Sequence, residues 1–121
     1  PLWAVAITAL AFGVIHLFND GATFLSFINL TLSGVFFALY AIRAGNIWGV
    51  CGLHMGWNFA LGNIFGVSIS GELRNNAVFV SETTGKDLLT GGAFGPEASL
   101  VTTVLLICAI FVLCSQFKYQ S

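Results

Sequence analysis

The sequence predicts an all-α, polytopic membrane protein with about four transmembrane helices and one aqueous loop. Composition is the first observation: 57% of the 121 residues are hydrophobic and only 7% are charged, too few charges for a water-facing surface at this length. The second is that four apolar stretches approach the roughly 20 residues that a bilayer-spanning helix needs. The third is that most charged residues gather between the last two stretches.

The first three spans follow one another with very short connections. They are predicted over residues 2–18, 23–42 and 47–69. Asn19-Asp20-Gly21 separates the first from the second, and Arg43-Ala44-Gly45-Asn46 separates the second from the third. Both connections carry turn-forming residues, so we expect two tight helical hairpins.

A polar loop over residues 70–96 precedes the fourth span, predicted over residues 98–114. Its charged residues are Glu72, Arg74, Glu82, Lys86 and Asp87. Pro96-Glu97 then suits a helix start, because proline fits the first helical turn and a carboxylate is favourable at the positive end of the helix dipole.

Charge and cysteine content exclude several classes of protein. Four Lys and Arg against five Asp and Glu leave no basic stripe, so lipid rather than nucleic acid is the expected partner. Cys51, Cys108 and Cys114 are odd in number and lie in apolar runs, which argues against a disulfide framework. The sequence opens on Pro1 without a visible signal peptide, and we expect it to be part of a longer protein.

His54 and Asn58 are the most informative polar residues of the third span. Residues four apart project from one face of a helix, and polar groups at membrane depth are costly unless they meet a partner or a water-filled cavity. Two explanations remain open, a functional site and a hydrogen bond between helices. Asn63 falls on the opposite face and is a separate feature.

In the first span, Phe12 and His16 share a helix face in the same way. A single histidine near a helix end also fits an interfacial position, and that alternative stays open. Asp20 follows one turn later, where it either orients the imidazole or serves as a solvated turn residue.

The third span also carries three pairs of glycines, each spaced four apart. Such pairs allow a neighbouring helix to approach closely. They are Gly45/Gly49, Gly52/Gly56 and Gly62/Gly66.

At these residues the chain resembles the CAAX-processing, Abi-like (CPBP) intramembrane endopeptidases. That family is similar in showing FxxxH on one transmembrane helix and HxxxN on a later one. Here the two motifs are Phe12 to His16 and His54 to Asn58, the second preceded by Gly45-Asn46-Ile47-Trp48. The segment Thr90 to Glu97 also looks like a stretch that follows the core in bacterial members.

The resemblance implies an endopeptidase in which glutamate-activated water attacks a peptide carbonyl. His16 and His54 would be the polar catalytic pair, Asn58 an oxyanion donor, and Phe12 a packing residue beside His16. A divalent metal on the two histidines stays open. The resemblance also implies a peptide or protein substrate and a multi-pass location in a bacterial cell membrane.

The family's glutamate pair does not occur in this sequence. Glu72, Glu82 and Glu97 look like poor replacements for the base, because they fall in the aqueous loop or at a helix start. We therefore expect residues 1–121 to form the C-terminal part of a single CPBP-type domain and to be inactive alone.

Two other classes of function stay open. One is a non-catalytic relative, a membrane scaffold or a bacteriocin self-immunity protein. The other is a bis-histidine haem electron carrier, since imidazoles on two helices can ligate iron.

Hydropathy places the two histidines at different depths, His16 near the end of its span and His54 well inside the opposite boundary of its own. Polar groups are cheapest in lipid when they share water. We therefore expect His16, His54 and Asn58 to line one water-accessible cavity in spite of this mismatch.

Overall fold

The computed structural model describes residues 2–117, and these are all-helical apart from an isolated antiparallel bridge between Ile69 and Glu72. The predicted fold class is confirmed in that respect. The α-helices are α1 (Leu2–Ile15), α2 (Phe24–Ala44), α3 (Trp48–Asn58), α4 (Asp87–Thr90) and α5 (Leu100–Phe117).

Local sequence explains the ends of the first two helices. A 3-10 turn, His16–Phe18, extends α1 to the boundary expected for the first span. Thr23 caps α2 by accepting a hydrogen bond from the backbone N–H of Ser26, whose hydroxyl in turn accepts one from the Thr23 N–H. At the other end Gly45 adopts a left-handed conformation with φ 68°, which stops the helix.

The third predicted span, residues 47–69, is wrong as a single helix. Helix α3 ends at Asn58 and gives way to a π-helical segment, Phe59–Ile64. The segment is rich in poor helix formers, and Gly66 then turns the chain out of helical geometry with φ 65°. The fourth span is shifted slightly, since α5 begins at Leu100 rather than at residue 98.

One helix of the described chain, Phe24–Ala44, is both long and apolar enough to cross a bilayer. The segments Leu2–Phe18 and Leu100–Gln116 are apolar but shorter. The prediction of four spans is therefore not confirmed by helix length and composition.

One of the predicted glycines packs closely against a neighbouring helix: a Cβ added at Gly49 of α3 would lie 2.5 Å from the Tyr40 ring of α2. The closest contact between helix backbones lies outside the predicted pairs. A Cβ added at Gly34 of α2 would lie 2.6 Å from the Ala9 Cα of α1. By contrast, a Cβ at Gly52 or Gly56 would meet no atom of the described chain within 4 Å. The closest approach of two helix backbones thus joins α1 to α2, because Ala9 and Gly34 face each other there.

The interior is polar as well as apolar. Leu30, Phe94 and Ala98 form a small buried cluster against which Phe12 packs. Beside them Asn29, 1% exposed, donates through Nδ2 to the backbone carbonyls of Glu97 and Ser99, both at 2.8 Å.

The loop over residues 70–96, predicted to be aqueous, is only partly exposed to solvent. Residues 72–76 and 78–89 are exposed, as expected. The end of the loop turns inward, and Phe94 is fully buried. This end docks because Gly95 adopts φ 102° beside the Ser68 carbonyl, an approach that a side chain would block.

Candidate functional site

The two histidines of the sequence motifs contact the same aromatic ring. The Phe12 centroid lies 4.6 Å from that of His16 and 5.6 Å from that of His54. Phe37 of α2 packs against the other side of this group, with its centroid 5.5 Å from His54 and 5.9 Å from Phe12. Helices α1, α2 and α3 therefore each contribute a ring to one aromatic cluster.

These distances resolve the depth mismatch that hydropathy suggests. Since the two imidazoles lie 4.6 Å and 5.6 Å from one ring, their centroids are separated by no more than about 10 Å. His54 lies in the second half of α3 and His16 directly follows α1, and both rings contact Phe12.

A backbone hydrogen bond holds the His16 ring. Its Nδ1 lies 2.6 Å from the Phe12 carbonyl oxygen one turn earlier. A carbonyl can only accept, so Nδ1 is the donor and Nε2 of a neutral imidazole is left as an acceptor. Asp20 is exposed, and the partner that orients His16 is the Phe12 carbonyl.

A cavity of about 230 Å³ opens beside His54. Phenylalanine and leucine side chains form most of its wall, and its polar lining residues include Ser33, His54, Glu97 and Thr102. Phe12 also lines it, whereas His16 and Asn58 are not among its lining residues. The expectation of one cavity shared by all three predicted residues is thus met only for His54.

Asn58 lies at the junction between α3 and the π-helical segment. Its Oδ1 is buried and has no hydrogen-bond partner among the described residues. A buried amide oxygen left unpaired costs about 1–3 kcal/mol, and π-helical turns are frequent at functional sites. The side-chain amide oxygen of Asn58 therefore makes no hydrogen bond that stabilises the described fold.

Glu97 is the residue that sequence reasoning missed. The prediction that it lies at a helix start is confirmed, because Glu97 follows Pro96 in a 3-10 turn just before α5. An aqueous environment is wrong, because Glu97 is 7% exposed and lines the cavity together with His54. Its Oε1 accepts a hydrogen bond from Trp57 Nε1 at 3.1 Å, and its Oε2 accepts one from the Ser70 backbone N–H at 2.7 Å. No local sequence signal reveals these partners, since both are at least 27 residues away.

The donor set does not favour a resident metal. Within residues 2–117 there is no group of three or more His, Cys, Asp or Glu side chains placed to hold an ion. His16 and His54 would need further ligands to hold a metal ion.

Comparison with known families gives one match. The family described as type II CAAX prenyl endopeptidase Rce1-like matches residues 1–60, a range that contains both histidine motifs. Neither the curated proteins nor the solved structures give a match. The matched family is one of membrane-embedded proteases. The resemblance at the two motifs is therefore confirmed, and residues 1–60 of this chain are similar to the Rce1-like family of type II CAAX prenyl endopeptidases.

Proposed function

We propose that this chain carries the histidine and asparagine part of a membrane-embedded endopeptidase of the CAAX-processing type. The catalytic residues are His16, His54 and Asn58, and the substrate is a peptide or protein. The observation that carries the proposal is that the family match includes both motifs and that one ring, Phe12, contacts both imidazoles.

The proposed chemistry is attack of a water molecule on a peptide carbonyl. A glutamate outside this sequence acts as the base, and the histidines hold the water and the polarised carbonyl. The side-chain N–H of Asn58 donates to the oxyanion that forms as the water oxygen bonds to carbon. A preorganised donor of this kind contributes about 3 kcal/mol to the transition state in a site that excludes bulk water.

A location within a bilayer is supported by the distribution of polar residues. Large apolar side chains on α1, α3 and α5 are exposed, while Ser26, Asn29 and Glu97 are buried. That arrangement suits a lipid exterior with internal hydrogen bonds. We infer a multi-pass protein and, from the bacterial character of the segment Thr90 to Glu97, a bacterial cell membrane.

The catalytic role of Asn58 is tested by replacing it with alanine in the full-length protein in lipid vesicles. The assay follows cleavage of a panel of prenylated and unprenylated C-terminal peptides. Loss of an oxyanion donor is expected to lower kcat by about 100-fold or more, with the thermal unfolding midpoint nearly unchanged.

Asn63→Ala is the matched control, because it removes the same side chain five residues further along the same segment. We expect that variant to keep kcat close to the unmodified value. Equal losses of kcat in the two variants, or a loss of folded protein that matches the loss of activity, would support a packing role and contradict the proposal.

A further inference from the structure

Glu97 joins parts of the chain that lie far apart in sequence. It belongs to a 3-10 turn, Pro96–Ala98, immediately before α5. Trp57, which donates to its Oε1, is in α3 between His54 and Asn58. Ser70, which donates to its Oε2 through both its backbone N–H and its hydroxyl, lies in the segment after the π-helical turn.

Ser70 is in turn fixed to the end of the first helix. The side chain of Asn19, three residues after His16, donates to the Ser70 carbonyl at 2.8 Å. Ser70 adopts φ 48°, a left-handed conformation that serine rarely takes and that the surrounding hydrogen bonds hold in place. A continuous chain of contacts thus runs from the FxxxH end of α1 through Ser70 and Glu97 to Trp57.

From this network we propose that Glu97 is a positioning residue for the catalytic helix. Its carboxylate sets the rotation of α3 relative to the end of α1, and so sets the direction in which His54 and Asn58 project. The proposal rests on the proposed function for its effect on catalysis, but its geometric part concerns only the placement of α3.

The carboxylate is needed because it accepts hydrogen bonds at both oxygens. An ionised carboxylate is an acceptor at each oxygen, whereas a glutamine amide has one accepting oxygen and one donating nitrogen. In Glu97→Gln, the amide can accept from Trp57 or from the Ser70 N–H, but not from both through different atoms. Either Trp57 of α3 or the Ser70 backbone N–H then loses its hydrogen-bond acceptor at residue 97.

The test is Glu97→Gln in the full-length protein in lipid vesicles, with ¹⁵N-labelled indole and imidazole groups followed by NMR. We expect the Trp57 indole and the His54 imidazole resonances to move. We expect kcat to fall between about tenfold and about 100-fold, as for a small misplacement of catalytic groups. KM should change much less, because the substrate-binding surface is retained.

Four further variants sharpen the result. Trp57→Phe removes the donor of the hydrogen bond between the Trp57 indole and Glu97 Oε1. The double variant should lose no more kcat than the worse single variant, since both substitutions act through one contact. Ser70→Gly removes only the hydroxyl donor and relieves the positive φ, so a smaller shift of the His54 resonance is expected even if Glu97→Gln folds poorly. Glu82→Gln, an exposed carboxylate of the loop, is the control that should change nothing.

An unchanged His54 resonance in both Glu97→Gln and Ser70→Gly would overturn the proposal. So would a loss of kcat that is explained by loss of folded protein. If the unmodified protein cleaves no peptide, the proposed function fails by itself. The positioning role is then decided by the His54 resonance alone, which supports it if it moves and refutes it if it does not.

Discussion

Phe12 is the residue around which the candidate site is assembled. Its backbone carbonyl fixes the tautomer of His16, and its ring contacts both that imidazole and the one on α3. The spacing of Phe12 and His16 predicts their shared helix face. The contact with His54 depends on how α1, α2 and α3 pack, and no local pattern contains that information.

Asn29 is the buried polar residue that ties α2 to the segment before α5. Replacing it with leucine keeps the branched shape but leaves the Glu97 carbonyl without its donor, while the Ser99 carbonyl still receives one from Thr103. We expect Asn29→Leu to lower the free energy of unfolding by about 1–3 kcal/mol, the cost of one buried unpaired carbonyl.

The measurement is reversible unfolding in detergent micelles, with Asn75→Leu as the control because Asn75 is exposed in the loop. An Asn29→Leu variant as stable as the control would show that the bonds to Glu97 and Ser99 contribute nothing net.

At the residue scale, local spacing is enough to predict the two motifs that the matched family contains. His16, His54 and Asn58 were selected from two four-residue periods, and the family match covers both. Glu97 was misjudged because its burial comes from Trp57 and Ser70, which only the folded chain brings near it.

At the scale of elements, the first two predicted helices agree with the structure to within two residues at each end, because caps and turn residues mark their limits. The third does not, because hydropathy cannot distinguish an apolar helix from an apolar segment that loosens into a π-helical turn. The glycine pairs of α3 were assigned to helix packing on spacing alone, and spacing does not say which face has a neighbour.

Two glycine substitutions test where the helices are in close contact. Gly34→Ala places a Cβ against the backbone of Ala9, whereas Gly52→Ala meets nothing in the described chain. We expect the first to destabilise the protein by about 1–3 kcal/mol through overpacking. The second should stabilise it by up to about 1 kcal/mol, through the higher helix propensity of alanine.

Unfolding of both variants under identical micelle conditions decides the matter, since the two effects have opposite sign. A destabilising Gly52→Ala would mean that a further part of the protein packs on that face of α3. A neutral Gly34→Ala would contradict the tight α1–α2 contact.

At the scale of the whole molecule, the chain combines an apolar exterior with a hydrogen-bonded polar interior. Composition and the apolar stretches together predict the apolar exterior and the all-helical class. They could not predict that the segment Phe94 to Glu97 folds back toward Phe12 and the cavity beside His54, since long-range hydrogen bonds hold it there. Through Glu97, which accepts a hydrogen bond from Trp57 of α3, this segment contributes to the cavity wall.

The central claim is that His54 is part of a peptide-hydrolysing site. The most direct measurement is mass-spectrometric identification of the products made by the full-length protein in vesicles, comparing His54→Ala with Met55→Ala, a change at the exposed neighbouring residue. We expect one defined pair of new peptide ends for the unmodified protein and for Met55→Ala. For His54→Ala we expect no new peptide ends and an unchanged thermal unfolding midpoint. Identical products and rates in His54→Ala would contradict it, as would the absence of cleavage by the unmodified protein.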